Sequence, residues 1–337
     1  MRSRKALMAP SSYHGRPAVE TSPPDIAPPP GPPRPEPKGV AGFFLSVMIL
    51  FAFVGVPAQH FQPAIGLLWS EVFVFLLPAL GAAAGSNLRP WRFLRIAPAP
   101  RPLHVALGLG LGGALFLVAG GLMAVTALLL PKSLVDVFDL SRIFQGPPWE
   151  RIAVAAVAAI AAPLAEEAAF RGYVQSSLGT WLLPRASVIA SALLFAAMHL
   201  DPVRFPAVLV LGLAFGWLTW RTGSLWPAVA AHAANNGLGA GYALGGAGDP
   251  TEQASVAGAL VVLGVGLVLA LPLALAVQRA TPVPPAPADA VERRDPADPS
   301  IRFRFSRVPH RYVAAGILGM ALLFLLGVLG KPPPPAP

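Results

Sequence analysis

Nine stretches of this chain run almost without charge over lengths near a membrane span, roughly 40–57, 64–84, 103–130, 151–179, 186–200, 204–220, 225–244, 254–277 and 312–330. A helix needs about 20 mostly apolar residues to cross a bilayer. A hydrophobic fraction of 55% against 12% charged residues is too apolar for a soluble globule. Lipid offers no hydrogen bonds, so each span must satisfy its own backbone, which an α-helix does. The short alternating segments of a membrane barrel are missing. The predicted fold class is therefore all-α: a polytopic integral membrane helical bundle of about eight or nine transmembrane helices.

Charge orients these spans. The formal net charge of +9 suggests nucleic acid at first sight, yet the bases lie mostly in loops on one side. If the N-terminus is cytoplasmic and all nine spans cross, 20 of the 25 Lys and Arg residues face the cytoplasm, the positive-inside pattern. Trp91, Trp149, Trp181, Trp220 and Trp226 fall near span ends, as an interfacial belt places them. No cysteine is present, which removes disulfide and thiolate chemistry. Residues 1–38 contain "PPDIAPPPGPPRPEPKG" and lack the apolar core of a signal peptide. They read as a disordered Pro-rich basic tail. The basic, Pro-rich stretch 279–311 reads as a flexible linker lying on anionic lipid. The expected location is an integral protein of a bacterial inner (plasma) membrane. Its partners are the lipid bilayer and no nucleic acid.

A charge at the bilayer centre costs about 3 kcal/mol, so charged residues within the spans are the informative ones. The stretch "AEEAAFRGY", 165–173, follows the uncharged run "IAVAAVAAIAAPL", 152–164. Glu167 and Arg171 are four apart and share a helix face, so they can pair. Glu166 projects about 100° away and need not share that partner. His232 and Asn236 are also four apart on one helix. Glu71, close to the start of its span, is expected at the interface. His60 and His104, in loop or end positions, are given no role.

Depth joins these groups. The turn near 179–186 lies midway between Glu166 and His199, so an antiparallel hairpin brings both to one height, on the order of 20 Å from the turn. The turn "RTGS", 221–224, on the same side, lifts His232 about 12 Å and Asn236 about 18 Å. Three helices thus deliver Glu166, His199, His232 and Asn236 to one intramembrane polar cavity. Arg171 is expected lower, toward the cytoplasmic mouth. Pro163 is expected to kink the fourth span and Pro202 to end the fifth just after His199.

The motifs themselves are distinctive. "EEAAFR" at 166–171 resembles the EExxxR motif of the CPBP intramembrane protease family, the type II CAAX prenyl endopeptidase and bacteriocin-processing group. "FAAMH" at 195–199 resembles its FxxxH motif, and "HAANN" at 232–236 its HxxxN motif. The likeness covers about 150–240. It implies a membrane endopeptidase acting on a membrane-tethered protein or peptide. In that reading Glu166 with His199 activates a water, His232 and Asn236 stabilise the oxyanion, and Glu167 with Arg171 supports Glu166. Zinc and a metal-free mechanism stand about even. If zinc binds, Glu166, His199 and His232 are its ligands and Glu167 is the candidate base.

The resulting organisation is a tail at 1–38, N-terminal transmembrane helices at 40–145 and a CAAX-protease-like core at 150–245. A further transmembrane helix at 252–278, the linker at 279–311 and a C-terminal span at 312–330 complete it. The rival readings are a non-catalytic scaffold or immunity-type protein and, further off, a transporter or proton relay. The scaffold would use the small-residue spacings Gly108/Gly112 and Gly237/Gly241. The transporter would require an internal repeat that the sequence lacks.

Overall fold

A computed structural model describes residues 35–281, apart from positions 36, 87, 98, 139–145 and 246–254. Most of the tail and of the 279–311 linker, and the whole 312–330 span, lie outside the described residues. Within them the chain is a helical membrane bundle without a strand. Six helices are long and apolar enough to cross a bilayer: α1 (Lys38–Phe61), α2 (Pro63–Gly85), α3 (Pro102–Leu129), α4 (Pro148–Leu178), α6 (Phe205–Thr222) and α8 (Val256–Ala280). Two more, α5 (Pro184–Met198) and α7 (Trp226–Leu244), complete the set.

The two exceptions have physical reasons. At 15 residues α5 reaches only about 22 Å, short of a hydrocarbon core of about 30 Å. Its last residues deliver His199 into the protein, where the chain turns through a left-handed Leu200 (φ 51°). Asp201 then accepts the backbone N–H groups of Val203 and Arg204 and starts α6. Helix α7 has 19 residues, but His232, Asn235 and Asn236 dilute its apolarity.

Forty prolines would ordinarily argue against helices. Here many of them start one. Pro63, Pro102, Pro148, Pro184, Pro206 and Pro227 stand in the first turn of α2 to α7, where the missing N–H has no helical partner to lose. Four others lie inside helices: Pro57, Pro78, Pro163 and Pro272. Just before the first three, the helix widens into a π turn, over Phe51–Gly55, Glu71–Leu76 and Val157–Ala161, whereas α8 stays α-helical through Pro272. A proline ring crowds the carbonyl one turn upstream, and widening relieves that clash. The distortion expected at Pro163 is therefore a π turn. A further π segment, Ala168–Gln175, has no proline and carries Arg171.

Two apolar clusters form the interior. One joins α1, α2, α4 and α5 through Val74, Phe75, Phe170 and Phe195. The other joins α3, α6, α7 and α8 through Leu111, Leu115, Phe215 and Ala231. Helix α3 carries glycines wherever its neighbours come closest. A Cβ on Gly108 would collide with the Pro227 carbonyl, and one on Gly112 with the Ala231 carbonyl. Gly121 meets the Leu263 backbone of α8 in the same way. The Gly108/Gly112 spacing is thus used inside the molecule, to seat α7 and hence His232. Gly241 has open space around it among the described residues.

Gly112→Val is expected to destabilise the protein by about 1–3 kcal/mol, because backbone cannot yield as a flexible side chain can. Gly120→Ala, at a position with nothing within 4 Å, should be neutral or slightly stabilising. Thermal unfolding of both variants in detergent checks the pair.

Candidate active site

The π segment of α4 turns Arg171 inward, where it is fully buried. Its Nη1 donates to Glu167 Oε1 at 3.0 Å and its Nη2 to the Gly212 carbonyl of α6 at 3.2 Å. The guanidinium lies over the Phe195 ring, 4.1 Å from its centroid, and 5.5 Å from that of Phe215. Phe195 belongs to one apolar cluster and Phe215 to the other, so the cation sits on their seam. The pairing with Glu167 agrees with the four-residue spacing. The placement near a mouth does not: Arg171 is sealed, its charge met by the Glu167 carboxylate and by two aromatic faces.

Glu167 Oε1 accepts a second bond, from His232 Nδ1 at 2.9 Å. A carboxylate only accepts, so the imidazole proton is on Nδ1 and Nε2 is directed outward. That Nε2 stands 3.7 Å from Glu166 Oε2. His232 is further held by stacking on Phe215, with centroids 4.9 Å apart. Glu166 therefore has a basic neighbour after all, supplied by α7, which the spacing within α4 could not show.

Exposure divides the group into two layers. Glu167 and Arg171 have no exposed surface and the His232 side chain only 5%, whereas the Glu166 side chain keeps 16%. His199, Asn235 and Asn236 are likewise half-buried. His199 Nδ1 donates to the Phe195 carbonyl at 2.9 Å, which leaves Nε2 as the acceptor nitrogen of the neutral ring. The Phe195 ring lies 5.0 Å from the His199 ring and 6.0 Å from the His232 ring by centroids, so His199 shares one neighbourhood with His232 and its neighbour Glu166. The Asn236 amide donates to the Ala158 carbonyl at 3.0 Å and its oxygen accepts from Asn235 at 3.0 Å. Asn236 thus ties α7 to the π turn of α4, with one amide hydrogen left over.

The structure also corrects the placement of Glu71. It is 2% exposed, enclosed by the bundle and not open to headgroups or water. The π turn Glu71–Leu76 packs on the Ala162–Glu167 segment and aims the carboxyl inward. The signal was present: Glu71 is the sole charge in Pro63–Gly85, about 12 Å from its start. Among the described residues no group of three His, Asp or Glu side chains is arranged to hold a metal ion.

Arg171→Leu strands Glu167 in the interior and should cost about 3–5 kcal/mol. The double variant Arg171→Leu/Glu167→Leu should recover part of that loss. Unfolding titrations of the two singles and the double measure the coupling; additive losses would contradict the pairing.

Comparison with known proteins matches residues 148–238 to the family model of the Rce1-like type II CAAX prenyl endopeptidases. No curated protein and no solved structure matches the chain. The matched segment begins with α4 and ends inside α7, so it takes in both carboxylates of the π-distorted helix and the two histidines facing them. The match of residues 148–238 to the Rce1-like type II CAAX prenyl endopeptidase model is consistent with the CPBP intramembrane proteases.

Proposed function

We propose that this chain is an intramembrane endopeptidase that cleaves a peptide bond in a membrane-tethered protein or peptide. The observation that carries the reading is the two-layered arrangement itself. An accessible carboxylate and imidazole, Glu166 and His199, stand over a sealed relay of His232, Glu167 and Arg171.

The chemistry follows from which atoms are free. Glu166, beside His199, takes a proton from water as the water oxygen bonds to the carbonyl carbon. Negative charge then develops on the carbonyl oxygen. His232 and the spare amide hydrogen of Asn236 are the donors offered to it. His232 donates from Nε2 only in its doubly protonated form, which Glu167 stabilises through Nδ1; it enters the cycle with that proton and keeps it throughout. When the C–N bond breaks, the proton held by Glu166 passes to the leaving amine. Water, peptide and both products then balance, and the enzyme returns to its starting state. Glu167 and Arg171 touch no substrate; they fix His232 and its tautomer.

The protein is read as residing in a bacterial inner membrane with its N-terminus in the cytoplasm. The substrate would reach the site from the cytoplasmic face. A scaffold role draws less support, since the Gly108/Gly112 face that would serve it is occupied by α7.

The test is cleavage of a tethered peptide library by the protein in bilayer discs, with and without a chelator. Glu166→Gln and His199→Ala should abolish cleavage while insertion and folding survive. Asn236→Ala should slow it about 100-fold. Full activity in the Glu166 or His199 variant would refute the role given to that residue. Loss of wild-type activity on chelation, restored by zinc, would overturn the metal-free route.

A further inference from the structure

The two ends of the bundle differ in charge. At one end acids stand among the bases: Lys132 faces Asp136 at 3.9 Å and Arg204 pairs with Asp201, while Arg151 Nη2 donates to the Leu244 carbonyl. The other end gathers the 86–101 connection, the 179–183 turn, the 223–225 turn and the close of α8. None of these segments contains an acidic residue. Contacts hold them together: Arg95 Nε donates to Ser176 Oγ, Trp226 Nε1 to the Ile96 carbonyl, and Arg221 Nη2 to the Gln278 carbonyl.

Arg89, Arg92, Arg101, Arg185 and Arg279 are exposed on this end. Between them stand Trp91 at 58% exposure, Trp181 at 52% and Leu183 at 79%. Guanidinium groups interleaved with exposed indoles and leucine suit a headgroup layer, where rings sit at the acyl boundary and cations meet phosphate.

The same connection braces the candidate site. Phe93 packs edge-on against Tyr173 of α4, and Leu94 fills the space left by Gly172. Arg95 takes a left-handed backbone (φ 58°), unfavourable for a residue with a Cβ. That conformation turns its carbonyl to the Leu225 N–H at the start of α7, at 2.9 Å. The brace thus joins α4, which carries Glu166 and Glu167, to α7, which carries His232.

We propose that this end is a docking surface for anionic phospholipid headgroups, and that headgroups bound at Arg89, Trp91 and Arg92 hold the 93–96 brace against α4 and α7. The docking stands on charge and exposure alone; its effect on cleavage rests on the endopeptidase reading.

The experiment uses the full chain in discs of phosphatidylcholine mixed equally with phosphatidylglycerol, with retained lipids counted by native mass spectrometry. The wild type should retain phosphatidylglycerol several-fold over phosphatidylcholine. Arg89→Gln/Arg92→Gln/Arg101→Gln should bring the ratio near one, and Lys132→Gln should leave it unchanged. Equal retention by the wild type, or enrichment that the triple variant keeps, overturns the docking surface. If the triple variant does not fold, salt decides on the wild type: enrichment that survives about 1 M salt overturns it. Hydrogen exchange at the Leu225 amide should be at least about threefold slower in mixed discs than in pure phosphatidylcholine, and equal exchange overturns the brace. Cleavage should be faster in the mixed discs to a similar degree. A wild type that cleaves in neither disc removes the endopeptidase reading, while lipid count and exchange still decide this one.

Discussion

A guanidinium with no exposed surface, inside a bundle built for lipid, needs a counter-charge within reach. Arg171 is met by Glu167, by the Gly212 carbonyl and by the face of Phe195. Removing any of these leaves a charge in a medium that cannot solvate it. The pair in turn fixes His232 through the shared oxygen of Glu167. Glu166 and His199 therefore rest on a buried unit whose members lie on α4, α6 and α7. In the proposed reaction such a unit would hold its donors in place as charge develops on a substrate.

Backbone distortion supplies the aim. Of the four π segments, one turns Glu71 inward, one presents the Ala158 carbonyl to Asn236, and one carries Arg171. A regular helix repeats its faces every 3.6 residues and cannot be tuned; an extra residue per turn shifts every side chain downstream. Prolines just beyond two of these three segments make the shift necessary. The glycines of α3 do complementary work, letting the α7 backbone approach closely enough for His232 to reach Glu167.

The endopeptidase reading and the lipid-docking surface are linked through one short connection. Residues 93–96 touch the last turns of α4 and the first turn of α7, well away from Glu166, yet those two helices carry most of the polar groups of the site. A surface that senses the headgroup layer and a site that works below it would share a support that neither contains.

Hydropathy alone determined the class of fold, since runs of uncharged residues have no other stable home and lipid permits only helices there. Spacing determined which polar residues meet: Glu167 and Arg171 pair as their separation required, and the turns at 179–186 and 221–224 bring Glu166, His199 and His232 into one neighbourhood. Tertiary structure alone decided three things. Glu71 is buried against the Ala162–Glu167 segment because a π turn on another helix aims it there. Arg171 is sealed because Phe195 and Phe215, from separate clusters, close over it. His232 bridges both acids because glycines seat α7 against α3. Each depends on contacts between segments distant in the chain. A one-dimensional pattern records what a residue can do within its own helix and is silent on which neighbour it meets across the bundle.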